Sequence, residues 1–149
     1  MVADISARVL IVDDDPDNAR LLESFLSEDA ESIRIVTDSR LVERAFSEFV
    51  PDIVLLDLHM PDPDGLEILR RFRVLREKLG FLPFVVLTGD TGKVARNSAL
   101  VLGADDFLTK PLDRHEVVLR VRNLLRTRRL YLELARANDD LERALRREK

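Results

Sequence analysis

A doubly wound five-stranded parallel sheet with flanking helices is the fold class this sequence predicts. Three observations carry it. Short unbroken apolar runs recur along the chain, segments with a helical three-to-four apolar period separate them, and the two kinds alternate. The chain has 149 residues, 46% of them apolar and 35% charged, which suffices for one domain with a buried core.

Val9 to Val12 begins the series, an aliphatic run suited to a strand buried on both faces. Pro16 follows an Asp-rich cap and fits a first helical turn, after which Ala19, Leu22, Phe25 and Leu26 recur at helical spacing. Ile33 to Val36 is a weaker, edge-like strand, and Leu41 to Phe49 a second helix. Ile53 to Leu56 and Phe84 to Leu87 repeat the buried-strand pattern, with a helix from Leu66 to Leu79 between them. Val94 to Leu102 supplies the fourth helix, and Phe107 to Thr109 a short last strand. Gly80 and Gly103 stand where helix C-caps are wanted.

Composition excludes several classes of function. Cysteine is absent, which removes disulfides and thiolate metal sites. No apolar run exceeds four residues, far short of a membrane span, and no leader pattern opens the chain. A cytoplasmic protein is expected. Net charge is −4, divided unevenly: residues 1–110 carry 13 basic and 21 acidic side chains, residues 111–149 carry 11 and 7. The basic tail interleaves its arginines with acids and leucines and brings no base-reading motif, so nucleic acid is not the expected partner.

In a doubly wound sheet, ligands sit at the carboxyl ends of the strands. Asp13, Asp14 and Asp15 follow the first strand, Asp57 the third, Thr88 the fourth and Lys110 the fifth. Taken singly, each has an ordinary structural explanation as a helix cap, a core hydroxyl or a surface lysine. Their joint occurrence at successive strand ends points to a site. Clustered carboxylates repel unless a cation compensates them, and oxygen ligands without His or Cys select a hard ion such as Mg²⁺. A carboxylate beside such an ion, a lysine and a hydroxyl is suited to accept a phosphoryl group.

These residues resemble the receiver domains of bacterial two-component response regulators. The resemblance rests on Val9 to Asp15, on Asp57-Leu-His-Met-Pro-Asp-Pro-Asp-Gly65, on Leu87-Thr88, and on Gly103 to Pro111. It implies a flavodoxin-like fold and Asp57 as the phosphoacceptor. It implies Mg²⁺ held by Asp13, Asp14, Asp57 and the backbone carbonyl of His59. Thr88 and Lys110 would bind phosphoryl oxygens, and Phe107 would stand at the aromatic switch position, where core packing alone would also place a Phe. The side chains of His59 and Asp90 would flank the phosphoryl group and tune its removal. A cis Lys110–Pro111 peptide is implied as well, while Pro63 and Gly65 fit a tight loop below the site. The donor would be a sensor histidine kinase or a phosphotransfer protein.

Two other classes compete with this reading. A phosphatase of haloacid-dehalogenase type generally needs an acid two residues after the nucleophile, where this chain has His59. A degenerate receiver serving only as an interaction module would lack Asp57, Lys110 or the acid pair, and all are present.

From about Asp113 the helical pattern continues without Gly or Pro to Lys149, roughly 55 Å if helical throughout. One heptad frame places Val117, Leu124, Tyr131, Asn138 and Leu145 at a, and Arg120, Thr127, Leu134, Leu141 and Glu148 at d. A receiver over residues 1–126 and a helical linker or coiled-coil extension over 127–149, leading to an output domain and pairing as a homodimer, are the expectation. A long amphipathic helix folded back on its own domain is the alternative.

Overall fold

The computed structural model describes residues 5–89 and 93–148. Five strands form the sheet: β1 (Ile5–Val12), β2 (Ala30–Val36), β3 (Ile53–Asp57), β4 (Phe84–Thr88) and β5 (Asp106–Thr109). All pair in parallel in the order β2-β1-β3-β4-β5. Five helices connect them: α1 (Pro16–Leu26), α2 (Val42–Phe49), α3 (Gly65–Leu79), α4 (Lys93–Val101) and α5 (Arg114–Arg147). A 3-10 turn, Ser39–Leu41, takes up the start of the second expected helix. The edge-like segment at Ile33 is indeed at the edge, as β2.

Continuous apolar strands arise because each strand feeds two cores. Leu10, Val12, Val54, Leu56, Phe84 and Val86 point to one face, against Val42 and Phe46 of α2 and Ile68, Leu69 and Phe72 of α3. Their neighbours Val9, Ile11, Ile53, Leu55, Val85 and Leu87 point to the other, against Leu22 and Leu26 of α1 and Val117, Val121 and Leu125 of α5. The two-residue alternation of strand side chains requires this division. At about 1.5–3 kcal/mol for each large side chain removed from water, these two layers supply most of the driving force.

Local chemistry sets the helix ends. Asp15, Asp64 and Asp113 cap α1, α3 and α5, accepting from the backbone N–H of Asp17, Glu67 and Glu116 at 2.9–3.0 Å. Gly80 and Gly103 end their helices at φ of 79° and 98°, conformations that favour glycine.

The last helix runs unbroken for 34 residues. Its upper part packs through Val117, Val121 and Leu125, while Arg122 pairs with Asp29 at 2.9 Å. Lower down, Arg128 donates to the Phe81 carbonyl at 2.6 Å and stands 3.5 Å from Asp52 Oδ1. Tyr131 packs by Phe81, with ring centroids 6.4 Å apart. From Tyr131 to Glu148 every residue is exposed. Three a positions of the heptad frame therefore serve the body: Val117 and Leu124 pack against its core, and Tyr131 lies on the α3–β4 loop. The helix does not fold back on the domain.

Candidate functional site

The carboxyl ends of β1, β3, β4 and β5 bring together Asp13, Asp57, Thr88 and Lys110. Asp13 is the first residue beyond β1, and its backbone N–H donates to the Val36 carbonyl at 3.1 Å. Asp57 is the last residue of β3, in register with Leu87 of β4, so Thr88 stands one residue further along. The Lys110 N–H donates to the Thr88 carbonyl at 2.8 Å and extends the β4–β5 pairing to the lysine. The Lys110–Pro111 peptide is cis, as is Asp62–Pro63.

Asp13, Asp57 and Thr88 are buried, whereas Asp14 and His59 are exposed. Lys110 Nζ lies 3.4 Å from Asp57 Oδ1 and 3.5 Å from Asp13 Oδ2, one ammonium between two carboxylates. Backbone donors hold the acids in place: Asp15 N–H donates to Asp13 Oδ1 at 2.9 Å, and His59 N–H to Asp57 Oδ1 at 3.1 Å. Burial and then the charge of Asp13 push the Asp57 carboxyl up to about 6, against the opposing pull of the His59 N–H and Lys110.

The same residues suit a hard cation. Carboxylate oxygens of Asp13, Asp14 and Asp57 lie within 4.8 Å of one another. Asp13 Oδ2 is buried and, among the described residues, accepts no hydrogen bond. A buried anionic oxygen that accepts no hydrogen bond, with the Lys110 ammonium 3.5 Å away, fits Mg²⁺ in a set of oxygen ligands. Asp15 is spent on capping α1 instead.

Gly65 has a steric reason to be glycine. A Cβ there would lie 2.5 Å from the Asp57 carbonyl and 2.6 Å from the Leu58 Cα, so α3 could not start this close to the site. Ser39, buried, donates its hydroxyl to the Pro61 carbonyl at 3.1 Å and braces the loop after Asp57. Phe107 is half-buried, with the Arg96 guanidinium carbon 3.7 Å from its ring centroid. The sequence alone marks neither Ser39, which lies between the expected second strand and second helix, nor Arg96, one polar residue in a helical stretch. The remaining expected residue, Asp90, lies outside the described residues.

Comparison with known proteins gives one consistent result. Residues 9–122 match the family model described as the response regulator receiver domain. The transcriptional regulatory protein TrcR of Mycobacterium tuberculosis is 39% identical over 119 residues, covering 80% of this chain and 45% of TrcR. The response regulator PleD of Caulobacter vibrioides is 36% identical over 130 residues, covering 87% of this chain and 28% of PleD. The crystal structure of the receiver domain of NtrX from Brucella abortus superposes with a TM-score of 0.72 at 28% identity, over 80% of this chain and 98% of that one. The chain thus spans less than half the length of these curated relatives.

Proposed function

The chain belongs to the response regulator receiver family, and on that footing we propose that Asp57 accepts the phosphoryl group and that the remaining pocket residues bind and read it. Response regulators receive phosphate from sensor histidine kinases, and a kinase of that class or a phosphotransfer protein is the donor proposed here. The single observation that carries the reading is the buried Asp57 carboxyl, 3.4 Å from Lys110 and flanked by Asp13.

In the reaction an Asp57 carboxylate oxygen forms a bond to phosphorus as the bond from phosphorus to the donor breaks. Lys110 already spans Asp57 and Asp13 and is placed to balance charge on the incoming oxygens. Asp13, Asp14, Asp57 and the His59 carbonyl would hold Mg²⁺, which supplies further charge compensation when bound. The buried Thr88 hydroxyl would bind a phosphoryl oxygen, with Phe107 following its movement. Dephosphorylation by water, tuned by His59 and Asp90, belongs to the same proposal. The phosphatase alternative is not favoured, since the match is to receivers and His59 replaces the second acid.

A receiver over residues 1–126 and a linker over 127–149 is the proposed division, with the linker passing the change to an output domain or a second copy. Continuous helix across residue 126 and the exposed leucines beyond it support this. Among the described residues no helix is long and apolar enough to cross a membrane.

Acetyl phosphate with Mg²⁺ tests the acceptor. Intact mass should rise once, by about 80 Da, through a base-labile acyl phosphate. Asp57→Asn should abolish the increment, and labelling of that variant at a comparable rate would refute the assignment.

A further inference from the structure

Phe107 occupies the position proposed to follow Thr88, and its freedom is confined to its ring. The backbone beside it is pinned: Phe107 N–H donates to Asp106 Oδ1 at 2.8 Å, and Arg120 of α5 holds both oxygens of Asp106 at 3.0 and 2.8 Å. β5 pairs with β4 on both sides of it, Val85 with Asp106 and Leu87 with Leu108. A phenyl ring carries no hydroxyl with which to anchor its edge. What holds the ring is therefore contact on its faces, namely the partly buried packing against the core and the Arg96 guanidinium, 3.7 Å from its centroid.

Arg96 stands on α4, the helix that follows the segment after Thr88. Among the described residues no acidic side chain forms an ion pair with it, so its charge is directed to the ring face. Attraction between a cation and a ring quadrupole fades beyond about 6 Å from the centroid. A ring that leaves this place for space near Thr88 must give up the stack.

We infer that Arg96 is the positioning residue for Phe107: its guanidinium holds the ring in the unphosphorylated place and opposes the movement that accompanies phosphorylation. The inference rests on the reading of Phe107 as the switch position. Phosphoryl binding then has to overcome the stack, and loss of Arg96 pre-sets part of the change. Because the two ring positions share one equilibrium with phosphorylation, a variant without the stack also accepts phosphate more readily.

The test uses the full chain with fluorinated phenylalanine, the Phe107 signal being assigned by its disappearance in Phe107→Leu. In the unmodified chain, Mg²⁺ with beryllofluoride as phosphoryl mimic should shift the Phe107 signal. In Arg96→Ala and in Arg96→Met, which keeps the stem without the charge, the unliganded signal should already lie part of the way to the shifted position. Acetyl phosphate labelling of Asp57 should quicken roughly two- to fivefold, the range such a half-exposed stack supports. Arg96→Lys should fall between these variants and the parent. In the Phe107→Leu background, Arg96→Ala should leave the labelling rate unchanged, which a merely structural role would not produce. A parent signal that moves while Arg96→Met matches the parent in both readouts would overturn the inference and leave the switch reading standing. A parent signal that ignores the mimic would overturn both.

Discussion

The Asp57 carboxylate carries a burial cost that the His59 N–H and Lys110 offset only in part. Its carboxyl is raised from the usual 3.8 to about 6, first by burial and then by Asp13. Between those values the folded chain holds a proton that the unfolded chain has released, so stability falls as pH rises through that window. Above it the full penalty, on the order of 1–3 kcal/mol, remains. Denaturant unfolding in a chelator should therefore show Asp57→Asn more stable than the parent by that amount at pH 7.5 and nearly equal to it at pH 4. Millimolar Mg²⁺ should narrow the gap at pH 7.5, because the parent alone keeps the full acidic set. Parallel pH profiles for the two proteins would contradict the burial argument. Asp13, Asp57, Thr88 and Lys110 were legible in the sequence because apolar runs locate the strand ends, and strand ends of a parallel sheet share one edge. Arg96 and Ser39 were not. Their meaning depends on where α4 and the 3-10 turn lie in space, which local periodicity does not encode.

At the scale of elements, α5 is one helix in two environments, packed on the body as far as Tyr131 and exposed beyond it. The sequence located it and its amphipathic character but could not separate the residues that serve the body from those left free. A heptad frame records spacing, and the own core and a partner helix ask for the same spacing. Leu124 packs against the body, Tyr131 rests on Phe81, and a Cβ at Gly80 would lie 2.7 Å from the Tyr131 ring. The residues left for a partner are Leu134, Leu141 and Leu145, at 71%, 59% and 56% exposure, with Asn138 among them. Three leucines buried from two sides contribute several kcal/mol at about 25 cal/mol/Å², close to the cost of association. Sedimentation should show concentration-dependent dimers that phosphorylation strengthens. Leu134→Asp with Leu141→Asp should yield monomers that still accept phosphate at Asp57. Monomers of the parent in both states at tens of micromolar would reject pairing through this stripe.

For the molecule as a whole, the sheet has two poles. Asp57 and Thr88 end their strands at one pole, while Asp52 and Phe81 precede β3 and β4 at the other. The proposed phosphoryl site lies at the first, and Arg128 and Tyr131 tie the tail to the second. Arg128→Ala with Tyr131→Ala should leave Asp57 labelling within about twofold, since the altered residues lie a strand length of roughly 17 Å away. Amide hydrogen exchange should at the same time lose protection along α5 below Leu125. Unchanged protection would show that packing above Leu125 holds the helix unaided. Attachment at this pole also makes the tail a lever with its fulcrum at Tyr131. Sixteen residues separate that point from Arg147, an arm of about 24 Å. A tilt of about 5° at the fulcrum, small enough to leave the core in contact, sweeps the tip through about 2 Å. Amplification of that kind needs no hinge, only a stiff arm.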